Sequence, residues 1–343
     1  MRTDELRVVI VGLGFVKTVH VAANRLASGY EVVALVGRDT ERAQDAARTS
    51  QVENGYSSLA EALERCRPDL VSIAVPPAAQ SGLAGEALRA GAHVFCEKPL
   101  STTLTEARKI EETALICRRQ GAVDFIFPEI PAWRKLKETM QDGILGSVKK
   151  ASVCWKVETR AARLGSVSWK NDPQAGGGVL LNFVPHSIYY LQWLFGEIVG
   201  ARSLPLKNHS LEFIGSFSFR SGLEVDLHVD GGAFMGLGHR LEVFGEKGSL
   251  LLQNTTPDYA SGFTLQISMR ESPGWKSLVQ DSGPASADGR IRAVASILRR
   301  FRESIVCGFE IRPGLRDGVE VQKVLGAAQQ SAADAAPPIS TLS

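Results

Sequence analysis

The sequence predicts an α/β domain on a doubly wound parallel sheet over residues 1–127. An α+β domain over 128–331 follows, with an open, mostly antiparallel sheet and helices on one face. Three observations point there. The first third alternates continuous apolar runs with helical patterns, the grammar of βαβ units whose strands are buried on both faces. After about Pro128 the apolar residues move toward period two, as in "FIGSFSFRSGLEVDLHVD", which suits strands with one wet face. A chain of 343 residues, 44% hydrophobic and 22% charged, is long and apolar enough for two cores.

The elements follow in order. Val8–Val11 reads as the first strand, and a helix runs from about Val16 to Ala27. Gly29 precedes a second strand, Glu31–Val36, and helical stretches follow around Thr40–Arg48 and Ser58–Arg65. Asp69–Val75 is a third strand, closed by Pro76 and Pro77, which cannot extend a ladder. Gln80–Ala90 is helical and stops at Gly91, a C-cap residue. His93–Cys96 is a fourth strand, a long helix spans Leu104–Gln120, and Val123–Phe127 is a fifth strand. Beyond it, a helix over Ala132–Asp142 leads into strand patterns such as "SVKKASVCWKVET" and "HRLEVFGEKGSLLLQ". One buried helix interrupts them within "GGGVLLNFVPHSIYYLQWLFG". Helices close the chain near Ile291–Ser304 and Gly314–Ser331, and residues 332–343 are expected to fray.

The formal net charge of +2 creates no global field for nucleic acid or an anionic membrane. No apolar run approaches the roughly 20 residues of a membrane span, and "MRTDELR" lacks the apolar core of a secretory signal. The five cysteines are scattered, with no C-x-x-C pair, as in reduced structural thiols. The expectation is a soluble cytoplasmic protein with no metal, taking a small molecule as partner.

"VVIVGLGFVKTVH" begins as a dinucleotide fingerprint should, with Gly12 and Gly14 directly after a strand and Phe15 and Val16 in the turn. The third glycine position holds Lys17, whose charge suits a phosphate and whose bulk does not suit close helix packing. The second strand ends in Gly37 and Arg38, with Arg42 one turn on and no carboxylate for a ribose hydroxyl. Positive charge and room favour a 2′-phosphate, hence NADP over NAD. In the bland alternative, Asp39 caps the next helix and Arg38 is solvated. "GAHVFCEKPLS" places Glu97 and Lys98 at the carboxyl end of a strand, where open parallel sheets bind ligands. Partial burial would lower the lysine pKa toward use in proton transfer, whereas the structural alternative is a surface turn.

"GLGFVKTVH", the strand-end "VPP", "AGAHVFCEKPL" and "GGGVLLNFVPH", in this order, resemble the glucose–fructose oxidoreductase / inositol dehydrogenase (Gfo/Idh/MocA) family. The resemblance covers nearly the whole chain. It implies an N-terminal Rossmann domain, a C-terminal open sheet that makes a homodimer or homotetramer, and NAD(P)-dependent oxidation or reduction of a sugar, cyclitol or nucleotide sugar. It makes Lys98 catalytic or substrate-positioning and His186 the acid/base, while Pro76, Glu97 and Lys98 itself fall at the cofactor.

The family's helix pattern D-x-G-x-H-x-x-D falls on "NFVPHSIY", with Asn182 and Tyr189 where the acids stand. Asn182 can orient His186 but cannot support its charge. Pro185 fits if Asn182 is the N-cap and Pro185 lies in the first turn. Gln80 stands where the family has a helper histidine. Trp169 and Lys170 match a family Trp-Arg segment at the cofactor or substrate. Lys156, Arg160 and Arg163 either hold an anionic substrate or are solvated. The altered acids and Lys17 leave a second reading open, a silent member that binds nucleotide or sugar as a regulator. A third is a nonredox lyase or hydrolase.

Overall fold

A computed structural model describes residues 5–14, 18–159, 162–163, 177–205, 211–281 and 288–335. The chain divides into two compact units, residues 1–129 with 286–322 and residues 130–285 with 323–343.

The first unit holds a six-stranded parallel sheet. Its elements are β1 (Leu6–Val11), α1 (His20–Ala27), β2 (Tyr30–Val36), α2 (Thr40–Thr49), β3 (Asn54–Tyr56), α3 (Leu59–Cys66), β4 (Leu70–Ile73), α4 (Pro77–Arg89), β5 (His93–Cys96), α5 (Leu104–Ile116) and β6 (Gly121–Val123). The strand order β3-β2-β1-β4-β5-β6 is doubly wound, with its switch between β1 and β4. The apolar runs explain this: Val8, Val9, Ile10, Leu70, Val71, Ile73, Val94 and Phe95 are wholly buried, so both sheet faces are covered. Local caps start the helices, with Asp39, Ser58 and Thr103 side chains accepting from backbone N–H groups three residues on.

Several expected boundaries move. The first helix starts at His20, residues 15–17 lying outside the described residues. The short β3 was not expected, because three half-buried residues carry no periodic signal. The long helix ends at Ile116, since Arg118 turns left-handed (φ 51°) before Gly121. The strand expected at Val123–Phe127 is β6 instead, and a 3₁₀ turn occupies Phe127–Glu129 around Pro128. Pairing with Val94–Cys96 extends only to Val123.

The second unit carries a mixed eight-stranded sheet, order β14-β13-β12-β11-β7-β10-β9-β8. After α6 (Pro131–Gln141) come β7 (Val148–Lys156), α7 (Val179–Asn182), α8 (Val184–Phe195), β8 (Ile198–Ser203), β9 (Glu212–Phe219), β10 (Glu224–Asp230), β11 (Gly238–Gly245), β12 (Gly248–Asn254), β13 (Thr264–Met269) and β14 (Ser272–Gln280). All neighbours are antiparallel except β7 and β10. Burial alternates along β10 and β11, as period two requires for one covered face.

Two helices close the chain, α9 (Arg290–Cys307) and α10 (Leu315–Asp334). In the first unit α9 packs on α1, and Tyr30 donates from its hydroxyl to the Leu298 carbonyl at 2.7 Å. Of the tail expected to fray, α10 takes residues to Asp334, and 336–343 lie outside the described residues.

Candidate active site

At the end of β1 the chain turns at Gly12, whose φ of 114° demands glycine and whose N–H donates to the Val36 carbonyl at 2.8 Å. Gly14 is exposed, and a Cβ built there would meet nothing within 4 Å, so its backbone is open to close approach. A Cβ on Gly37 would lie 2.4 Å from Leu13 Cδ1, so glycine is what lets Leu13 seat the turn against the end of β2. Helix α1 begins with no side-chain cap, which leaves its leading N–H groups suited to an anion. Phe15, Val16 and Lys17 lie outside the described residues. This cradle fits a dinucleotide.

Past β2, Arg38 and Arg42 are exposed. The Asp39 carboxylate accepts the Arg42 N–H at 2.8 Å as the cap of α2, so the acid nearest this strand end is engaged with its own helix. Pro76 precedes α4, with Pro77 at its first position, where no N–H is missed.

Glu97 and Lys98 follow β5, and Lys98 is half-buried. Gln80 is wholly buried, and its Nε2 donates to the Pro99 carbonyl at 2.7 Å. It therefore pins the E-K-P turn from α4, a structural task for the residue that stands in the helper histidine's place.

Beneath that turn lies a polar cluster. His20 is wholly buried on α1, with Nε2 3.1 Å from Glu97 Oε1 and Nδ1 2.8 Å from Ser72 Oγ on β4. Asp124, directly after β6 and 4% exposed, completes it. One ligand-type atom from each of His20, Glu97 and Asp124 lies within 4.8 Å of the others. Burial alone would raise the Glu97 carboxyl. The hydrogen bond and field of His20, with Lys98 and Asp124, outweigh it and hold Glu97 below the usual carboxylate range. Asp124 goes the other way: burial, then the Glu97 charge and hydrogen bond, push it well above that range.

In the second unit, Phe183 divides the single helix expected around His186 into α7 and α8. The break suits Pro185, which takes the second position of α8. Phe183, not Asn182, is the N-cap, and the Asn182 amide donates to the Gly178 carbonyl at 2.8 Å. His186 is 3% exposed and Tyr189 7%. The His186 ring centroid is 6.3 Å from that of Trp155 and 6.5 Å from that of Tyr259. Trp155 also stacks on His239, rings 4.2 Å apart and 3° from parallel, as directly paired residues of β7 and β11. The Tyr190 hydroxyl lies 3.0 Å from both Ser187 Oγ and His239 Nε2. Burial pulls His239 down to about 3. Lys156 is half-buried and Arg163 exposed, while Arg160, Trp169 and Lys170 lie outside the described residues.

The structure thus groups Gly12, Gly14, Gly37 and Arg38 past the carboxyl ends of β1 and β2 and sets Glu97 and Lys98 past that of β5, at the same sheet edge. His186 and Asn182 belong to the other unit. Sequence reasoning missed His20 at the start of α1, Ser72 within β4 and Asp124 directly after β6. It also missed Tyr259 and His239.

The class these features define is a dinucleotide-dependent oxidoreductase. The sequence models of one family cover most of the chain: "Oxidoreductase family, NAD-binding Rossmann fold" matches residues 6–124, and "Oxidoreductase family, C-terminal alpha/beta domain" matches 137–340. The chain belongs to this Gfo/Idh/MocA family. It is 30% identical to a protein described as an uncharacterized oxidoreductase from Synechocystis sp., over 96% of this chain and 95% of that one. It is 26% identical to 1,5-anhydro-D-fructose reductase of Ensifer adhaerens, over 74% of this chain and 77% of that protein. Among solved structures, levoglucosan dehydrogenase in complex with NADH has the same fold, with TM-score 0.85, 21% identity, and 96% and 97% of the two chains covered. The protein is an NAD(P)-dependent oxidoreductase.

Proposed function

We propose that this enzyme moves a hydride between NADP(H) and a carbinol carbon of a sugar-like substrate. The observation that carries this reading is Lys98, half-buried at the carboxyl edge of β5 beside a carboxylate held ionised. The bound nicotinamide supplies or accepts the hydride. Lys98 donates a hydrogen bond to the reacting oxygen and stabilises the charge that develops there. His186 takes or returns the hydroxyl proton, Asn182 orients it, and Tyr189 and Arg160 contact substrate. Gly12, Gly14 and Gly37 cradle the cofactor with Phe15, Val16, Lys17, Pro76, Trp169 and Lys170. Arg38 and Arg42 read a 2′-phosphate, because both are exposed past β2 and Asp39 is engaged as a cap. The chain's likeness to a 1,5-anhydro-D-fructose reductase and, in fold, to a levoglucosan dehydrogenase supports a sugar or anhydrosugar.

We infer further that the protein works in the cytoplasm. No helix among the described residues is long and apolar enough to cross a membrane. A homodimer or homotetramer forms through the second unit's sheet, whose strands leave Val199, Phe244, Trp275 and Leu278 exposed.

The test is a fluorescence titration with NADPH and NADH, followed by turnover over a panel of sugars and anhydrosugars. Tight NADPH binding and turnover that Lys98→Met removes support the reading. Binding without turnover on any substrate would favour a silent regulator.

A further inference from the structure

Resting on the reading that Lys98 is catalytic, we propose that Asp124 is a positioning residue. Through a hydrogen bond to Glu97 it holds that carboxylate in place and tempers its pull on the Lys98 ammonium. The backbone sets the pair rigidly. Glu97 donates its N–H to the Ile73 carbonyl at 2.9 Å, and Asp124 donates its own to the Cys96 carbonyl at 2.9 Å. Both acids therefore stand at the ends of paired strands, one residue past the ladder, and their side chains converge with His20 from α1.

Two carboxyl groups this close cannot both carry charge, so one keeps a proton. The surroundings decide which. Glu97 has His20 Nε2 at 3.1 Å and its Oε2 accepts the Lys98 N–H at 3.3 Å, whereas Asp124 Oδ1 has no hydrogen-bond partner among the described residues. Charge settles on Glu97 and the proton on Asp124, which donates it to Glu97. The two carboxyls are shifted in opposite directions, in keeping with this. With its proton on Nε2, His20 donates to Glu97 while Nδ1 accepts from Ser72, so the line Ser72–His20–Glu97–Asp124 runs donor to acceptor toward Glu97 from both sides. Among the described residues, the charged and titratable groups facing the pair are His20 from α1, Cys96 at the end of β5, Lys98 from the turn after it, and Arg290 from α9.

A buried acid that must stay protonated is poor material for a scaffold; a leucine would serve packing better. Its position under Lys98 gives it a use. By donating to Glu97, Asp124 disperses the carboxylate charge, so the ammonium gives up its proton more readily than it would beside a bare carboxylate. His20, Glu97 and Asp124 are also donors a divalent cation accepts. Lys98 and Arg290 already supply positive charge there, which argues for the hydrogen-bonded arrangement.

The experiment follows the Lys98 amine by nitrogen-15 NMR through a pH titration of the full-length protein. Asp124→Ala, Asp124→Asn and wild type are compared, with infrared spectra of each. We expect a protonated-carboxyl band in wild type at neutral pH that Asp124→Asn removes. We expect the Lys98 midpoint to rise by about half a pH unit or more in Asp124→Ala, on the scale of one lost charged hydrogen bond. Asp124→Asn, whose amide still donates, should return it close to wild type. No protonated-carboxyl band in the wild type overturns the proposal, even if the alanine variant fails to fold. So does an unmoved Lys98 midpoint in a folded Asp124→Ala, or a divalent metal retained at one per chain after dialysis. Unchanged turnover in Lys98→Met would sink the catalytic reading while leaving the NMR result standing, so the two failures are distinguishable.

Discussion

Two buried histidines show how differently the two units use polarity. His20 sits among Ser72, Glu97 and Asp124 at the carboxyl edge of a parallel sheet, with polar partners on both ring nitrogens. His239 sits between Trp155 and Tyr190, surrounded by rings, and behaves as a flat apolar side chain with one polar tip. The first environment keeps charge at the carboxyl edge of the sheet; the second excludes it to hold a sheet and helix together. Cost explains the contrast. Buried charge is tolerated where several partners share it, and elsewhere the group stays neutral.

The largest expected effect lies in the first region. Lys98→Met should lower turnover by roughly 10²- to 10⁴-fold, the usual worth of a positioned proton donor. Nucleotide affinity in the same fluorescence titration should change by less than about threefold, since little uniform binding is lost. A comparable loss of affinity would make Lys98 a binding residue and blur the contrast between the units.

Trp155→Ala probes the other region. The side chain is 1% exposed and stacked on His239, so its removal should cost about 3–5 kcal/mol in urea unfolding, as for buried aromatics generally. A cost under about 1 kcal/mol would mean the ring cluster does not carry the second unit's stability.

The two clusters should also titrate with opposite sign. His239 is held at about 3, against an unfolded value near 6.5, so between those values the unfolded chain binds more protons. Stability therefore falls as pH drops through that window, and His239→Phe should flatten the slope of urea midpoint against pH. Asp124 is raised above its unfolded value, so the folded state binds more protons. Its contribution to stability is full below about 3.8 and declines as pH rises. Asp124→Asn should remove that decline. Slopes of one sign at both sites would break the comparison.

The smallest effect is at the rim. Arg38→Ala should weaken NADPH by roughly three- to tenfold, the scale of one exposed charge-assisted contact, and leave NADH within about twofold. Equal loss for both would remove the basis for preferring NADP.

The strands flanking the site were legible because a parallel sheet buries both faces and writes continuous apolar runs. One helix start was legible from Asp39, whose capping bond spans only three residues, while Ser58 and Thr103 emerged as caps only in the structure. Lys98 was legible from the E-K-P turn. His20 and Asp124 were not, because a lone polar residue opening a helix or following a strand has many structural uses.

Local chemistry, then, is what the sequence by itself determined: periodicity, caps, the glycine turn and the charged residues at strand ends. Such features depend on neighbours within a few residues, and the chain carries them wherever it goes. Tertiary structure alone decided that β7 and β10 run parallel, that α9 returns to pack on α1, and that Phe183 breaks the helix before His186. It alone joined His20 to Glu97, 77 residues apart, and set Asp124 against both. Such contacts form only when strand order brings separate ends to one edge, and no local pattern encodes that order.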